Sequence, residues 1–165
     1  MAYPILALDP TTVNETEPSH TLNVKFYSPD TGKTYRYIKN AGAANIAAGD
    51  VVGRYDSSGH TAGYGSCTAA TILDAIDGTT TRNQPIGIGI GAITSGRYGF
   101  VQTDGPCTAI TTDGNVVKGQ FLVAADGAIV ASANGTAATA HLAVWGQAFA
   151  NNSSTTLANA QIWIP

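Results

Sequence analysis

Apolar and polar positions alternate with a period of two through most of the chain, and no stretch sustains a helical period. The clearest stretch runs from Gln84 to Pro106. Ile86, Ile88 and Ile90 alternate with Gly87, Gly89 and Gly91, which predicts a strand with one aliphatic face and one bare face. Thr94-Ser95-Gly96 signals a turn. Tyr98, Phe100 and Gln102 then share a face opposite Gly99, Val101 and Thr103, and Asp104-Gly105-Pro106 closes the unit. The whole reads as a β-hairpin with Ile88 and Phe100 in the core. Glycine is a poor strand former, so three on one face predict another backbone or sheet packed closely against it.

The same alternation places further short strands. Leu22, Val24 and Phe26 open one, Ser28-Pro29-Asp30-Thr31-Gly32 turns it, and Lys33 to Lys39 returns with Tyr35 and Tyr37 on one face and Arg36 and Ile38 on the other. Ile46 to Val52 and Val117 to Val123 share a phrase, a glycine-polar pair before an apolar pair, which points to two related β-units. Residues 68–76 read as strand and loop, stopped at Asp77-Gly78. Residues 128–130, 142–149 and 161–164 complete the strands, with loops at 134–139 and 151–156 and a turn at Asp126-Gly127. Many short strands with regular turns predict an all-β domain, a compact sandwich or barrel of antiparallel strands, over residues 22–165.

Residues 1–21 differ. Pro4, Pro10 and Pro18 interrupt every period, so an extended N-terminal arm without helix is expected, mobile in the free protein and ordered on a neighbour. Its apolar anchors are Tyr3, Ile5, Leu6 and Leu8. They and the glycine face, Gly87, Gly89 and Gly91, are the candidate contact residues.

With 165 residues, one domain is the default. Charged residues make up 12%, about half the usual share, and the net charge is -3. No basic run marks a nucleic-acid footprint. The opening lacks a cationic leader, and Ile5 to Leu8 is too short to span a membrane, so folding in the cytoplasm is expected. In that compartment Cys67 and Cys107 are expected as buried thiols. Three glycosylation sequons, at Asn14, Asn134 and Asn152, read as products of an Asn/Thr/Ser-rich composition.

No constellation carries a reaction. Gly32-Lys33-Thr34 ends like a phosphate loop, but Tyr27 stands where that motif needs glycine and a strand follows instead of a helix. Gly87, Gly89 and Gly91 lie in a strand, unlike a dinucleotide fingerprint. His20, His60 and His141 have no metal-ligand spacing. Ser66-Cys67 with His60 lacks an orienting acid, and Asp74 and Asp77 read as turn formers. Tyr35 and Tyr37, flanked by Lys33, Arg36 and Lys39, suit core or interface packing better than base stacking. No catalytic residue, metal site or cofactor is assigned.

Three phrases together resemble the small decoration (cement) proteins on the heads of tailed bacteriophages. They are 32–38 with 46–52; 85–88 running into 95–102 and Gly105; and 117–122 with 126–128 and 144–148. The resemblance implies a β-domain on the outer capsid surface, bound to the major capsid protein. It implies a virion location after synthesis in the host cytoplasm. A homo-oligomer is expected, with a trimer as one order. No nucleic acid, membrane or cofactor takes part, and no catalytic residue is carried over. A virion fibre or tail domain that binds a host receptor is the alternative, and an enzyme using Cys67 comes third.

Overall fold

The computed structural model describes residues 4–5, 9–42, 44–54, 68–72, 85–108, 110, 116–125, 128–132, 144–151 and 159–164. Ten strands lie in these residues: β1 Lys25–Ser28, β2 Lys33–Asn40, β3 Val51–Arg54, β4 Thr68–Ile72, β5 Pro85–Gly89, β6 Tyr98–Cys107, β7 Phe121–Ala125, β8 Ala128–Ser132, β9 Val144–Ala148 and β10 Ala160–Trp163. The all-β architecture expected from the alternation is the one observed. Five strands close a ring. β2 pairs with β4, β4 with β3, β3 with β5, β5 with β6, and β6 with β2 again. All these pairings are antiparallel except β2 with β4, a departure from the expected pattern. β1 shares β2's edge with β4, and the series β10, β9, β7, β8 continues from the far end of β6.

β6 is shared because it is long. Its first part is registered with β2, from Tyr98 opposite Lys39 to Asp104 opposite Thr34, and its last four residues pair with β10. Strands so enclosed are buried on both faces, and β2 and β6 read that way despite Arg36, Gln102 and Thr103. Three apolar clusters result. Ile38, Val52, Ile86 and Val101 converge inside the ring with Ile46 and Ile93 from flanking loops. Phe26, Tyr35, Tyr37 and Phe100 form an aromatic cluster on the other face of β2 and β6. Ile88, Cys107, Leu122, Ile162 and others join the ring to the β10–β9–β7 extension. β6 contributes Val101, Phe100 and Cys107 to the three in turn.

The predicted hairpin is present only in part. β5 and β6 pair at Ile88 opposite Gln102 and Gly89 opposite Val101, but β5 ends at Gly89. Ile90 packs instead against the aromatic cluster, away from Ile86 and Ile88. The connection makes a bridge of its own, Ile93 with Ile46. The glycine face is close-packed as expected. A Cβ on Gly89 would run into the Ala47 carbonyl oxygen, one on Gly91 into that of Thr11, and one on Gly87 into the Val101 side chain.

The shared phrase at 46–52 and 117–123 proves to be one turn used four times among the described residues. Thr21–Val24, Ala47–Asp50, Thr94–Arg97 and Val117–Gln120 each bond the fourth N–H to the first carbonyl. The third residue is left-handed each time: Asn23 at φ 69°, Gly49 at 93°, Gly96 at 79° and Gly119 at 89°. That is the type II signature. Each third N–H donates to one residue of a neighbouring strand, and the N–H of that residue donates back to the fourth carbonyl. The strand residues are Tyr37, Gly89, Asn40 and Ala148 respectively. The next residue begins β1, β3, β6 or β7. Asp50 and Gln120 also accept the first N–H of their own turns through their side chains. Arg97 has no acceptor to offer, and Asn14 of the arm supplies that bond to Thr94.

Two stability outcomes follow from this geometry. Phe100 is 1% exposed at the centre of the aromatic cluster, so Phe100→Ala is expected to cost about 3–5 kcal/mol in a denaturant melt. Gly96 and Gly119 have open space where a Cβ would stand, so alanine there costs only the left-handed backbone, about 1–2 kcal/mol. Gly89 has no left-handed backbone, but Gly89→Ala must push the Ala47 carbonyl aside and is expected to cost more than either. Equal losses at all three positions in parallel melts would refute this distinction.

Candidate interaction surface

From Asp9 onward the arm is folded back on its own sheet. Residues 9–24 cross the aromatic face of β2 and β6. The prolines prevent a long helix but leave the main chain free to bond. One 3-10 turn, Pro10–Thr12, is capped by Asp9, whose carboxylate accepts from the Thr11 N–H at 2.9 Å. Glu15 and Tyr98 exchange both main-chain hydrogen bonds at 2.9 Å. Asn14 accepts from the Thr94 N–H and donates to its hydroxyl, so this sequon asparagine is engaged within the fold. Arg97 reaches the Thr16 hydroxyl at 2.6 Å. Val13, Leu22 and Val24 add apolar cover, and the His20 ring lies against Phe26, Tyr37 and Phe100, with centroids 4.9, 5.1 and 5.7 Å away.

One carboxylate ties the strap down. Glu15 Oε2 accepts from the Tyr37 hydroxyl and from Ser19 Oγ at 2.7 Å. Partial burial opposes ionisation of Glu15, but the hydroxyls of Tyr37 and Ser19, the Ser19 N–H and the charge of His20 outweigh it, so its carboxyl lies below the ordinary 4.5. Burial, then the bond to Glu15, raises Tyr37 above the ordinary 10.0. At the opposite corner, Lys25 Nζ donates to the Ile164 carbonyl at 3.2 Å. Burial, then repulsion from Arg36, lowers Lys25, with Asp104 opposing; burial raises Asp104.

Among the described residues, the candidate contacts do not lie at one place. Ile5 is 70% exposed and forms a parallel bridge with Tyr27 on the outer edge of β1. Tyr3, Leu6 and Leu8 lie outside the described residues, as do Cys67, His60, His141, Asp74, Asp77, the turn at 126–127, the loop at 134–139 and most of 151–156. Gly87, Gly89 and Gly91 are covered by this chain's own atoms. Sequence reasoning missed two sets of residues. One is the strap's polar set, Asn14, Glu15, Ser19 and His20, which carries no spacing signal because its partners are distant in sequence. The other is an exposed apolar pair, Val117 at 54% and Phe149 at 50%. Both stand at one end of the extension, where the turn at 117–120 bonds to Ala148 and the Lys118 N–H donates to Asn151 at 2.8 Å. Their signal was an apolar residue beside a turn, which patterning alone does not separate from core.

No protein-family model matches the chain, and no curated protein matches it. Among solved structures, the crystal structure of the head fiber gp8.5 N base in bacteriophage phi29 is similar, with a TM-score of 0.50 and 12% identity. The fold is similar to that of a phage head-fibre base. The match covers 78% of this chain and 93% of that one, so nearly the whole of the fibre base has a counterpart here.

The strap predicts an acid response. Glu15 has a folded pKa below its unfolded value, so its contribution is full above about pH 4.5 and is lost as pH falls through the folded value. Amide hydrogen exchange at Glu15 and Tyr98 is expected to quicken relative to β10 as pH is lowered through that range. Glu15→Gln should remove the pH dependence of this difference. An unchanged profile in the variant would assign the effect to another group.

Proposed function

We propose that this chain is a structural protein of a bacteriophage virion that binds the outer surface of the head and stabilises it. The observation that carries the reading is the fold held in common with a phage head-fibre base. The chain's own chemistry supports it. Few charges, small side chains and scattered exposed apolar positions suit a protein that presents surfaces to partners. The partner is the major capsid protein, and the chain acts as a homo-oligomer, a trimer being one order, on a symmetric shell where weak contacts sum by multivalency. Ile5, with Tyr3, Leu6 and Leu8 of the same stretch, is one candidate contact, and Val117 with Phe149 is the other. The reading includes no reaction, cofactor, nucleic acid or membrane. A fibre or tail domain that binds a host receptor is the second reading, favoured by the likeness to a fibre component.

Co-sedimentation separates the two. The purified chain is expected to pellet with capsids of its parent phage that lack it, and not with host cells. Phe149→Asp should weaken capsid binding while leaving the melting temperature close to that of the parent chain. Pelleting with cells, and not with capsids, would favour the receptor-binding reading.

A further inference from the structure

We propose that residues 9–20 are an exchangeable strap, which seats in the aromatic groove of a second copy of this chain. The groove is a built site. Its floor is Tyr37, Phe100 and Phe26, its rim is the Tyr98 main chain, and its polar anchor is the Tyr37 hydroxyl. The bonds that seat the strap join it to β2, β6 or the 91–97 connection, so any copy that presents those elements can accept it. Pro10 and Pro18 keep the strap from collapsing into a helix, which leaves it able to cross as a unit.

The hinge supplies the second observation. The strap joins the sheet through the turn Thr21–Val24, the one copy of the fourfold turn that puts a side-chain-bearing residue in the left-handed position. Asn23, at φ 69°, is the only non-glycine residue with positive φ among those described. Opening this turn into an extended hinge releases the strain, and short strained hinges favour exchange between identical chains. At the arm's entry Ile5 bridges Tyr27 on the edge of β1, an element that the second copy presents as well. Reciprocal exchange closes a symmetric assembly, because each copy gives one strap and receives one. The inference rests on the proposed function only in taking the chain to meet its own copies.

Cysteine pairing tests it on the full chain. Glu15 and Tyr98 are a hydrogen-bonded antiparallel pair, with Cα atoms about 5.5 Å apart, within reach of a disulfide. The bridge is made by main chain, so it survives substitution. A tagged Glu15→Cys chain and an untagged Tyr98→Cys chain are refolded together, oxidised and run on a non-reducing denaturing gel. Exchange gives a tagged–untagged covalent product that needs both substitutions. In a single chain carrying both, exchange gives covalent oligomers, and Asn23→Gly shifts the product toward internal closure. Internally closed monomers alone, with no mixed product, would overturn the proposal. An oligomer by sedimentation whose strap cross-links only internally refutes exchange and leaves the capsid reading standing. A mixed product from a chain that fails to bind capsids does the reverse.

Discussion

The fold depends on β6 having neighbours on both edges and, as far as Thr103, cover on both faces. A strand of ordinary length serves one neighbour on each side. Here the first part bonds β2 and the last part bonds β10, and the change happens at a bulge. Thr34 pairs with Asp104 and Tyr35 with Gln102, so Thr103 is the extra residue. Two features hold the bend. Gln102, 1% exposed, donates its side-chain amide to the carbonyls of Asp104 and Pro106 at 3.2 and 3.0 Å. Gly105 takes a φ of 99° and lies so close to the Gly32 carbonyl that a side chain there would collide with it. The Thr103 carbonyl then accepts from the Ile164 N–H at 2.7 Å, which fixes the chain beyond β10 to the same point.

Much of this was readable in the residues themselves. Alternation located the strands because burial on at least one face imposes it, and Ile88 and Phe100 are buried as that pattern requires. The glycine face announced close packing, but not that the Ala47 and Thr11 carbonyls would provide it, since those approaches join distant parts of the chain. The phrase at 46–52 and 117–123 was visible as a repeated glycine-polar pair but not as a turn, and Thr94-Ser95-Gly96 was visible as a turn but not as a copy of that phrase. The copy at Thr21 was hidden. Arg97 breaks the acceptor pattern and leaves Asn14 to make the bond, while Asn23 hides a left-handed residue behind a side chain. Ring closure had no local signature, because β2 and β6 look like any other pair of alternating strands. The polar strap failed for the same reason: Glu15 means little until Tyr37 stands beside it.

The buried polar residues show how the loops are kept in place. Asn40, fully buried at the end of β2, donates its side-chain amide to the carbonyls of Ala44 and Ile93 and accepts from the Gly42 N–H. Its main chain meanwhile completes the turn at Thr94–Arg97. One side chain thus ties groups from two loops to the end of β2. The bridge between Ile46 and Ile93 is set beside it, and both turns that follow these residues are positioned from this point.

The ring also sets the order in which the molecule can assemble. β2 and β6 hold it shut, and the whole of β3, β4 and β5 lies between them in the sequence. Their pairing must bring distant parts of the chain together before the aromatic and ring-interior clusters form, so the entropy of loop closure is spent ahead of most of its return. The β1–β2 hairpin and the β7–β8 hairpin need no such search. Nascent chains therefore carry two early hairpins and a late central seam. Until that seam closes, both edges of β6 stand open to the edges of other chains.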